Sequence, residues 1–115
     1  MATHTVRDRG RHEATGRPYT FAGRLEVVHD WRGRFGDERV AVYRRDDGRH
    51  VVAFARRAPG RGDLGAETYA VVSPGDLPRA IVAGCAGPQA RAVARQLGFG
   101  IGEPGRGAPA VAGMG

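Results

Sequence analysis

The chain of 115 residues is long enough for one domain and too short for two cofactor-sized domains. It carries 18 basic residues against 12 acidic ones, a formal net charge of +6 at pH 7, and every basic residue is arginine. No apolar run approaches the roughly 18 residues that span a membrane, and the first residues lack a secretory signal, so we expect a cytoplasmic protein. The single cysteine, Cys85, excludes an internal disulfide bond and a Cys-x-x-Cys zinc site.

Composition divides the chain into three parts. Residues 1–18 are polar, rich in arginine and without hydrophobic periodicity, which predicts a flexible basic arm. Residues 102–115 are mostly glycine, proline and alanine, which predicts a disordered tail. Residues 19–101 hold enough apolar side chains for a small core, so we expect a single α+β domain there.

Alternating patterns predict the first three strands. From Tyr19 to Arg32 apolar and polar residues alternate, which is typical of a long, half-buried strand. One face of this strand is expected to carry Tyr19, Phe21, Leu25, Val27, His29 and Trp31. Two further β-rich runs, 38–45 and 49–57, flank Asp46-Asp47-Gly48, which indicates a hairpin.

The turn of this hairpin decides which side chains lie opposite each other. A three-residue turn requires Gly48 in a left-handed conformation. It sets Val42 opposite Val52, and Val40 opposite Phe54. A two-residue turn would set the same valines opposite alanines. Because the first register gathers the large apolar side chains on one face, we predict the three-residue turn.

A fourth strand is predicted over 67–72, and two short helices follow it. Asp76 is the expected N-cap of the first helix, which runs to about residue 83. The second helix is predicted over Pro88–Leu97, ended by Gly98. Its apolar face carries Ala90, Val93, Ala94 and Leu97. The predicted fold class is α+β, a four-stranded antiparallel sheet followed by two short helices packed on one face, in the order ββββαα.

Five short segments form a pattern: Phe21–Arg24 (FAGR), Val40–Arg44 (VAVYR), Tyr69–Leu77 (YAVVSPGDL), Pro88 with Ala92, and Leu97-Gly98. The pattern resembles the uncharacterised EXLDI family of actinobacterial proteins, and the likeness covers roughly residues 19–98. Where that family has its Glu-x-Leu-Asp-Ile signature, this chain reads Gly98–Pro104 (GFGIGEP). The family has no known activity, so the resemblance implies only a soluble bacterial accessory protein.

Motifs for cofactor or metal chemistry are weak in this chain. Gly60–Gly65 and Gly100–Gly105 match the dinucleotide-binding spacing GxGxxG, but neither joins a predicted strand to a predicted helix. The histidines do not pair at metal-ligand spacing, so we expect no cofactor and no metal. The roles of His29, His50 and Cys85 stay open. No arrangement of nucleophile, acid and base appears, and we do not expect an enzyme.

Arginine on the sheet is the remaining functional signal. In the predicted register, the hairpin face opposite the valines carries Arg39, Tyr43, Arg45, Arg49 and Arg57. Guanidinium groups around an aromatic ring are typical of phosphate binding and base stacking. A solvated face, enriched in arginine by codon usage, is the competing interpretation.

Two hypotheses for the function follow. In the first, the protein is a small non-enzymatic binding or regulatory accessory that meets an anionic partner, a nucleic acid or an acidic protein, through the arginine-bearing face. In the second, it is a protein-interaction or structural subunit, able to form homo-oligomers, without nucleic acid. A contiguous basic face would favour nucleic acid, and an exposed apolar patch would favour a protein partner. No membrane partner is expected.

Overall fold

The computed structural model describes residues 2–8, 17–33, 36–57, 65–85 and 87–100, which form an α+β fold of five strands followed by two helices. The strands are β1 (Ala2–Asp8), β2 (Arg17–Gly33), β3 (Gly36–Arg45), β4 (His50–Arg57) and β5 (Gly65–Val72). A short 3-10 turn (Pro74–Asp76) leads into α1 (Leu77–Gly84), and α2 (Gly87–Leu97) follows. Neither helix has the length and apolarity needed to cross a membrane.

All neighbouring strands pair antiparallel, in the order β1-β2-β3-β4-β5. The α+β class is confirmed, whereas the prediction of four strands is wrong. The additional strand, β1, pairs with the first half of β2, from Ala2 opposite Gly23 to Asp8 opposite Arg17. It lies inside the segment for which we expected a flexible arm, so that expectation fails for β1. Residues 9–16 of the arm and the whole tail, 102–115, lie outside the described residues.

The reason β1 escaped the sequence analysis is that it buries very little. Thr3, Thr5 and Val6 are β-branched and suit a strand. Of these only Val6 is apolar, and it is 6% exposed. A single apolar residue gives no detectable period, so partner strands elsewhere in the chain decide whether such a segment is ordered.

The hairpin of β3 and β4 has the predicted register. Val42 lies opposite Val52 and Val40 opposite Phe54. Gly48 has a φ of +88°, in the left-handed region that a residue with a side chain rarely adopts. The Arg45 N–H donates to the Arg49 carbonyl at 2.7 Å, which closes the turn.

A β-bulge in β2 changes the expected arrangement of that strand. The pairing with β3 shifts between Leu25 and Val27, and Glu26 is the extra residue. Before the bulge Leu25 lies opposite Tyr43, whereas after it Val27 lies opposite Val42. Because one inserted residue reverses the alternation, Tyr19 and Phe21 lie on one side of the sheet while Val27, His29 and Trp31 lie on the other. The prediction of one continuous apolar face is therefore wrong.

The two sides of the sheet bury separate clusters. On the helix face, which carries Val40, Val42, Val52 and Phe54, the valines are completely buried against Leu77, Ile81 and Val93 of the two helices. The opposite side of β3 and β4, which carries Arg39, Ala41, Tyr43, Ala53 and Ala55, is called the cleft face below. Its buried cluster is built from Val6, Phe21 and Val51, with tyrosines around them. Strand β1 crosses over this face and contacts β5.

The helices lie close to their predicted ranges. Asp76 occupies the N-cap position of α1 as predicted, with Pro78 in the first turn, but its side chain makes no capping hydrogen bond. Its carboxylate instead accepts a hydrogen bond of 3.1 Å from the Ser73 hydroxyl. Gly98, at φ +90°, ends α2 as predicted, and the Phe99 N–H donates to the Ala94 carbonyl at 3.0 Å.

Candidate binding cleft on the sheet

A cleft of about 600 Å³ lies on the cleft face, with β1 along one side and β5 along the other. Its floor is formed by three small side chains, Ala41, Ala53 and Ala55, of which Ala41 and Ala53 are cross-strand partners. Strands normally favour β-branched and aromatic residues, which would fill this space. The cleft therefore exists because alanines occupy the middle of two neighbouring strands.

Most carboxylates that line the cleft already have a partner. Asp30 accepts two hydrogen bonds from the Arg39 guanidinium, at 2.6 Å and 3.2 Å. This pairing lowers the pKa of Asp30 and raises that of Arg39. Asp37 lies 2.6 Å from the Nε of Arg32. Glu38 pairs with Arg56 at 3.3 Å, and Glu67 is not free either.

Two arginines that line the cleft, Arg7 and Arg57, make no ion pair with any described residue. Arg57 is exposed and lies opposite Asp37 in the sheet. The Asp37 carboxylate, however, is bound by Arg32. The cleft is thus lined by carboxylates that are already paired and by two arginines that have no ionic partner in the described part of the chain.

Four of the five predicted site residues, Arg39, Tyr43, Arg45 and Arg57, lie on the cleft face by register, whereas Arg49 precedes β4 and is in no strand pairing. The five divide into two groups. Arg39, Tyr43 and Arg57 line the cleft, whereas Arg45 and Arg49 lie at the hairpin end of the sheet. Arg45 donates to the Tyr19 hydroxyl at 2.8 Å and pairs with Asp47. Arg49 is exposed, and its side chain has no ionic partner among the described residues.

The ring of Tyr43 belongs to the buried aromatic cluster. It lies 4.9 Å from the His4 ring and 5.2 Å from the Phe21 ring, centroid to centroid. Burial raises the pKa of the Tyr43 phenol. The ring is therefore half-buried among other rings and not an open platform on which a base could stack.

Sequence reasoning missed Arg7 and the alanine floor. Arg7 falls in the segment expected to be flexible, and only the pairing of β1 with β2 brings it to the cleft. The alanines did carry a usable signal, because Ala41, Ala53 and Ala55 stand inside β-rich runs where larger residues are the norm.

A second, smaller cavity of about 330 Å³ lies on the helix face, on the other side of the sheet from the alanine floor. Trp31 and Phe54 line both cavities, and Ala83 and Gly84 at the end of α1 border the smaller one. A side chain at residue 84 would collide with the Phe54 ring, since a Cβ there would lie 2.3 Å from it. Any larger residue at position 84 would therefore have to displace the Phe54 ring.

The structure shows the contacts of His29, His50 and Cys85, whose roles the sequence left open. His29 Nε2 lies 2.6 Å from the Gln89 amide oxygen, which links β2 to α2. His50 is 5% exposed, and its Nδ1 lies 3.5 Å from a Glu26 carboxylate oxygen. Burial, with a smaller effect from Glu38, raises the pKa of the Cys85 thiol to about 11, so it is a poor nucleophile.

Within the described ranges, no group of three or more histidine, cysteine or acidic side chains is placed to hold a metal ion. No family model, curated protein or solved structure matches the chain. Function must therefore be inferred from the cleft and its charges.

Proposed function

We propose that this protein is a small binding module that takes an anionic ligand in the cleft between β1 and β5. The supporting observation is the pairing of charges: Asp30 and Asp37 are bound by arginines, whereas Arg7 and Arg57 line the same cleft without an ionic partner among the described residues. An anion would supply that partner. A guanidinium group binds a carboxylate or phosphate through two parallel hydrogen bonds, which makes arginine a suitable ligand.

Three contacts favour a compact anion over a nucleic acid. Arg39 is bound to Asp30, and Arg45 to Asp47, so neither guanidinium is open to a phosphate backbone without losing its partner. The Tyr43 ring is packed between His4 and Phe21. Nucleic-acid binding depends on a continuous row of free cations and on open aromatic faces.

The test is a titration at low ionic strength with sulfate, phosphate and acetate, followed by the fluorescence of Trp31, the only tryptophan in the chain. Saturable binding is expected, and it should weaken as salt is added. Arg57→Gln should weaken it about tenfold, the usual scale for a charged hydrogen bond. Arg79→Gln, an exposed residue of α1 with the same charge, is the matched control.

Two results would overturn this proposal. One is the absence of binding for every anion at low salt. The other is binding by the Arg57→Gln variant that equals the wild type. A single-stranded DNA oligonucleotide that binds more tightly than the small anions, with a slope near −3 to −4 in log K against log salt, would restore the nucleic-acid hypothesis.

A second candidate function, binding of a protein partner or a second copy of the chain, is favoured by Leu25 and Val28. They are 46% and 40% exposed. By register Leu25 lies opposite Tyr43 and Val28 opposite Ala41, so the two flank the bulge on the cleft face. Sedimentation of the wild type and of Leu25→Gln tests self-association, which the substitution should abolish if these residues form the contact.

A further inference from the structure

We infer that the ligand of the cleft is an amphiphilic organic carboxylate, an anionic head joined to an apolar ring or short acyl chain. This inference rests on the proposed anion binding and names the class of ligand. The first argument is size. A bare sulfate or phosphate would fill a small part of about 600 Å³, a volume within the range of roughly 300–1,000 Å³ usual for sites of organic ligands.

The second argument is the apolar floor. Ala41 and Ala53 lie opposite each other, and Ala55 lies two residues further along β4, opposite Arg39. Nearer the hairpin end, the same face is filled by Tyr43 and by completely buried Val51. Ala41 is 6% exposed, whereas Ala53 and Ala55 are half-buried, so the open apolar surface of this floor, called the shelf below, belongs to Ala53 and Ala55. Covering such a shelf with hydrocarbon is favourable because apolar surface leaves water.

The third argument is the position of the arginines that have no ionic partner among the described residues. Arg57 is the last residue of β4 and is exposed, whereas the alanines stand further inside the strands. A ligand whose carboxylate binds Arg57 and whose apolar part lies on the shelf would pair the charge and cover the apolar surface at the same time. A neutral apolar molecule would leave the guanidinium groups unpaired, and a bare anion would leave the shelf in water.

The experiment compares straight-chain carboxylates from acetate to octanoate, each below the concentration at which it self-associates. Binding is followed by calorimetry and by Trp31 fluorescence. Each methylene group that reaches the shelf should tighten binding by about fourfold. 1-Naphthoate should bind at least ten times more tightly than neutral 1-naphthamide.

Substitutions at Ala55 and Arg57 test the contributions of the apolar shelf and of the charge to binding one at a time. Ala55→Leu fills the shelf and should weaken octanoate at least tenfold while leaving acetate unchanged. Ala22→Leu, at an exposed site opposite Thr3, is the matched control and should change neither. Arg57→Gln should weaken both ligands equally. If Ala55→Leu fails to melt cooperatively, the smaller Ala55→Val replaces it, with a loss in the same direction.

The outcomes distinguish the two proposals. Equal affinity for acetate and octanoate would overturn the amphiphile inference and leave anion binding standing. Equal affinity for naphthoate and naphthamide would overturn both, since a charge would then contribute nothing. An unchanged affinity for octanoate in Ala55→Leu would overturn the shelf as the site of the apolar body. Preferential binding of an acidic peptide over every small carboxylate would replace the small ligand by a protein partner.

Discussion

The rings of Tyr19 and Tyr69 stack with their centroids 5.2 Å apart and their planes 9° from parallel. Tyr19 belongs to β2 and Tyr69 to β5, and two strands separate them in the sheet. The contact therefore requires the first half of β2 to bend over the cleft face. Arg45, at the end of β3, donates a hydrogen bond of 2.8 Å to the Tyr19 hydroxyl. This bond links the first half of β2 to the hairpin. This arrangement closes one end of the cleft face and leaves the other end open as the cleft.

Removal of the Tyr69 ring should loosen this closure. Tyr69→Ala deletes a partly buried ring that packs against the cluster of Val6, Phe21 and Val51, and we expect a loss of about 2–4 kcal/mol in the free energy of unfolding. Tyr69→Phe keeps the ring and should cost less than about 1 kcal/mol. Urea unfolding measures both. A loss below about 0.5 kcal/mol in Tyr69→Ala would mean that the stacking contributes little to stability.

Glu26, at the bulge, should be required for stability. Its carboxylate lies 3.4 Å from Arg44, 3.8 Å from Arg24 and 3.5 Å from His50. The facing atoms, Glu26 Oε1 and His50 Nδ1, are buried and have no hydrogen-bond partner among the described residues. Glu26→Gln keeps the shape and removes the charge, and we expect a loss of about 1–3 kcal/mol in urea unfolding. Asp46→Asn, exposed in the hairpin turn, is the control.

A double-mutant cycle measures how much of this loss in the free energy of unfolding comes from the interaction between Glu26 and His50. If the two side chains interact, the combined change Glu26→Gln with His50→Gln should cost about 1 kcal/mol less than the sum of the single changes. Additive losses would show that Glu26 acts through the arginines alone.

The thiol of Cys85 should react slowly in the folded protein. Burial raises its pKa from the ordinary 9.0 to about 11. At pH 8 the thiolate fraction should therefore be about 100 times smaller than in the unfolded chain, and alkylation by iodoacetamide correspondingly slower. Because the folded state holds the proton more tightly, this contribution to stability is present below pH 9.0 and is lost as the pH rises towards 11. Equal alkylation rates with and without urea would contradict the burial of the thiol.

Neutralising Asp30 should strengthen anion binding. Asp30→Asn frees the Arg39 guanidinium inside the cleft, and we expect about threefold tighter binding of acetate, consistent with the small energy of an exposed ion pair. Asp46→Asn changes the net charge equally and lies away from the cleft, so it should have a much smaller effect. Weaker binding in Asp30→Asn would show that the carboxylate orients Arg39 for the ligand.

The ion pair between Asp30 and Arg39 also makes the stability of the fold depend on pH in the acid range. Arg39 lowers the pKa of Asp30, so the pair contributes stability above the ordinary value of 3.8 and loses it as the pH falls through the folded-state pKa. Both side chains are more than half exposed, so the contribution should stay below about 1 kcal/mol. Titration of the Asp30 carboxyl by NMR should give a pKa below 3.8 in the wild type and a higher one in Arg39→Gln.

Local patterns in the sequence were enough for the central hairpin and the second helix. The register of β3 and β4 follows from two local demands, a glycine that adopts a positive φ at Gly48 and the gathering of large apolar side chains on one face. Likewise α2 has a 3.6-residue apolar period and a glycine at its end, Gly98. Each of these signals involves residues close together in the chain, where backbone sterics and alternation leave few choices.

Tertiary contacts decided β1, the bulge and the cleft. Strand β1 is ordered by pairing with β2, and a segment with one buried apolar residue carries no period of its own. The alternation in β2 cannot show that Glu26 is inserted, because the bulge depends on partners in β3 and β4, Arg44 and His50. Arg39 and Arg57 looked equivalent in sequence, but folding placed the Asp30 carboxylate beside Arg39 and no described acidic side chain in an ion pair with Arg57. Charge pairing across strands is set by register and curvature, which exist only in the assembled sheet.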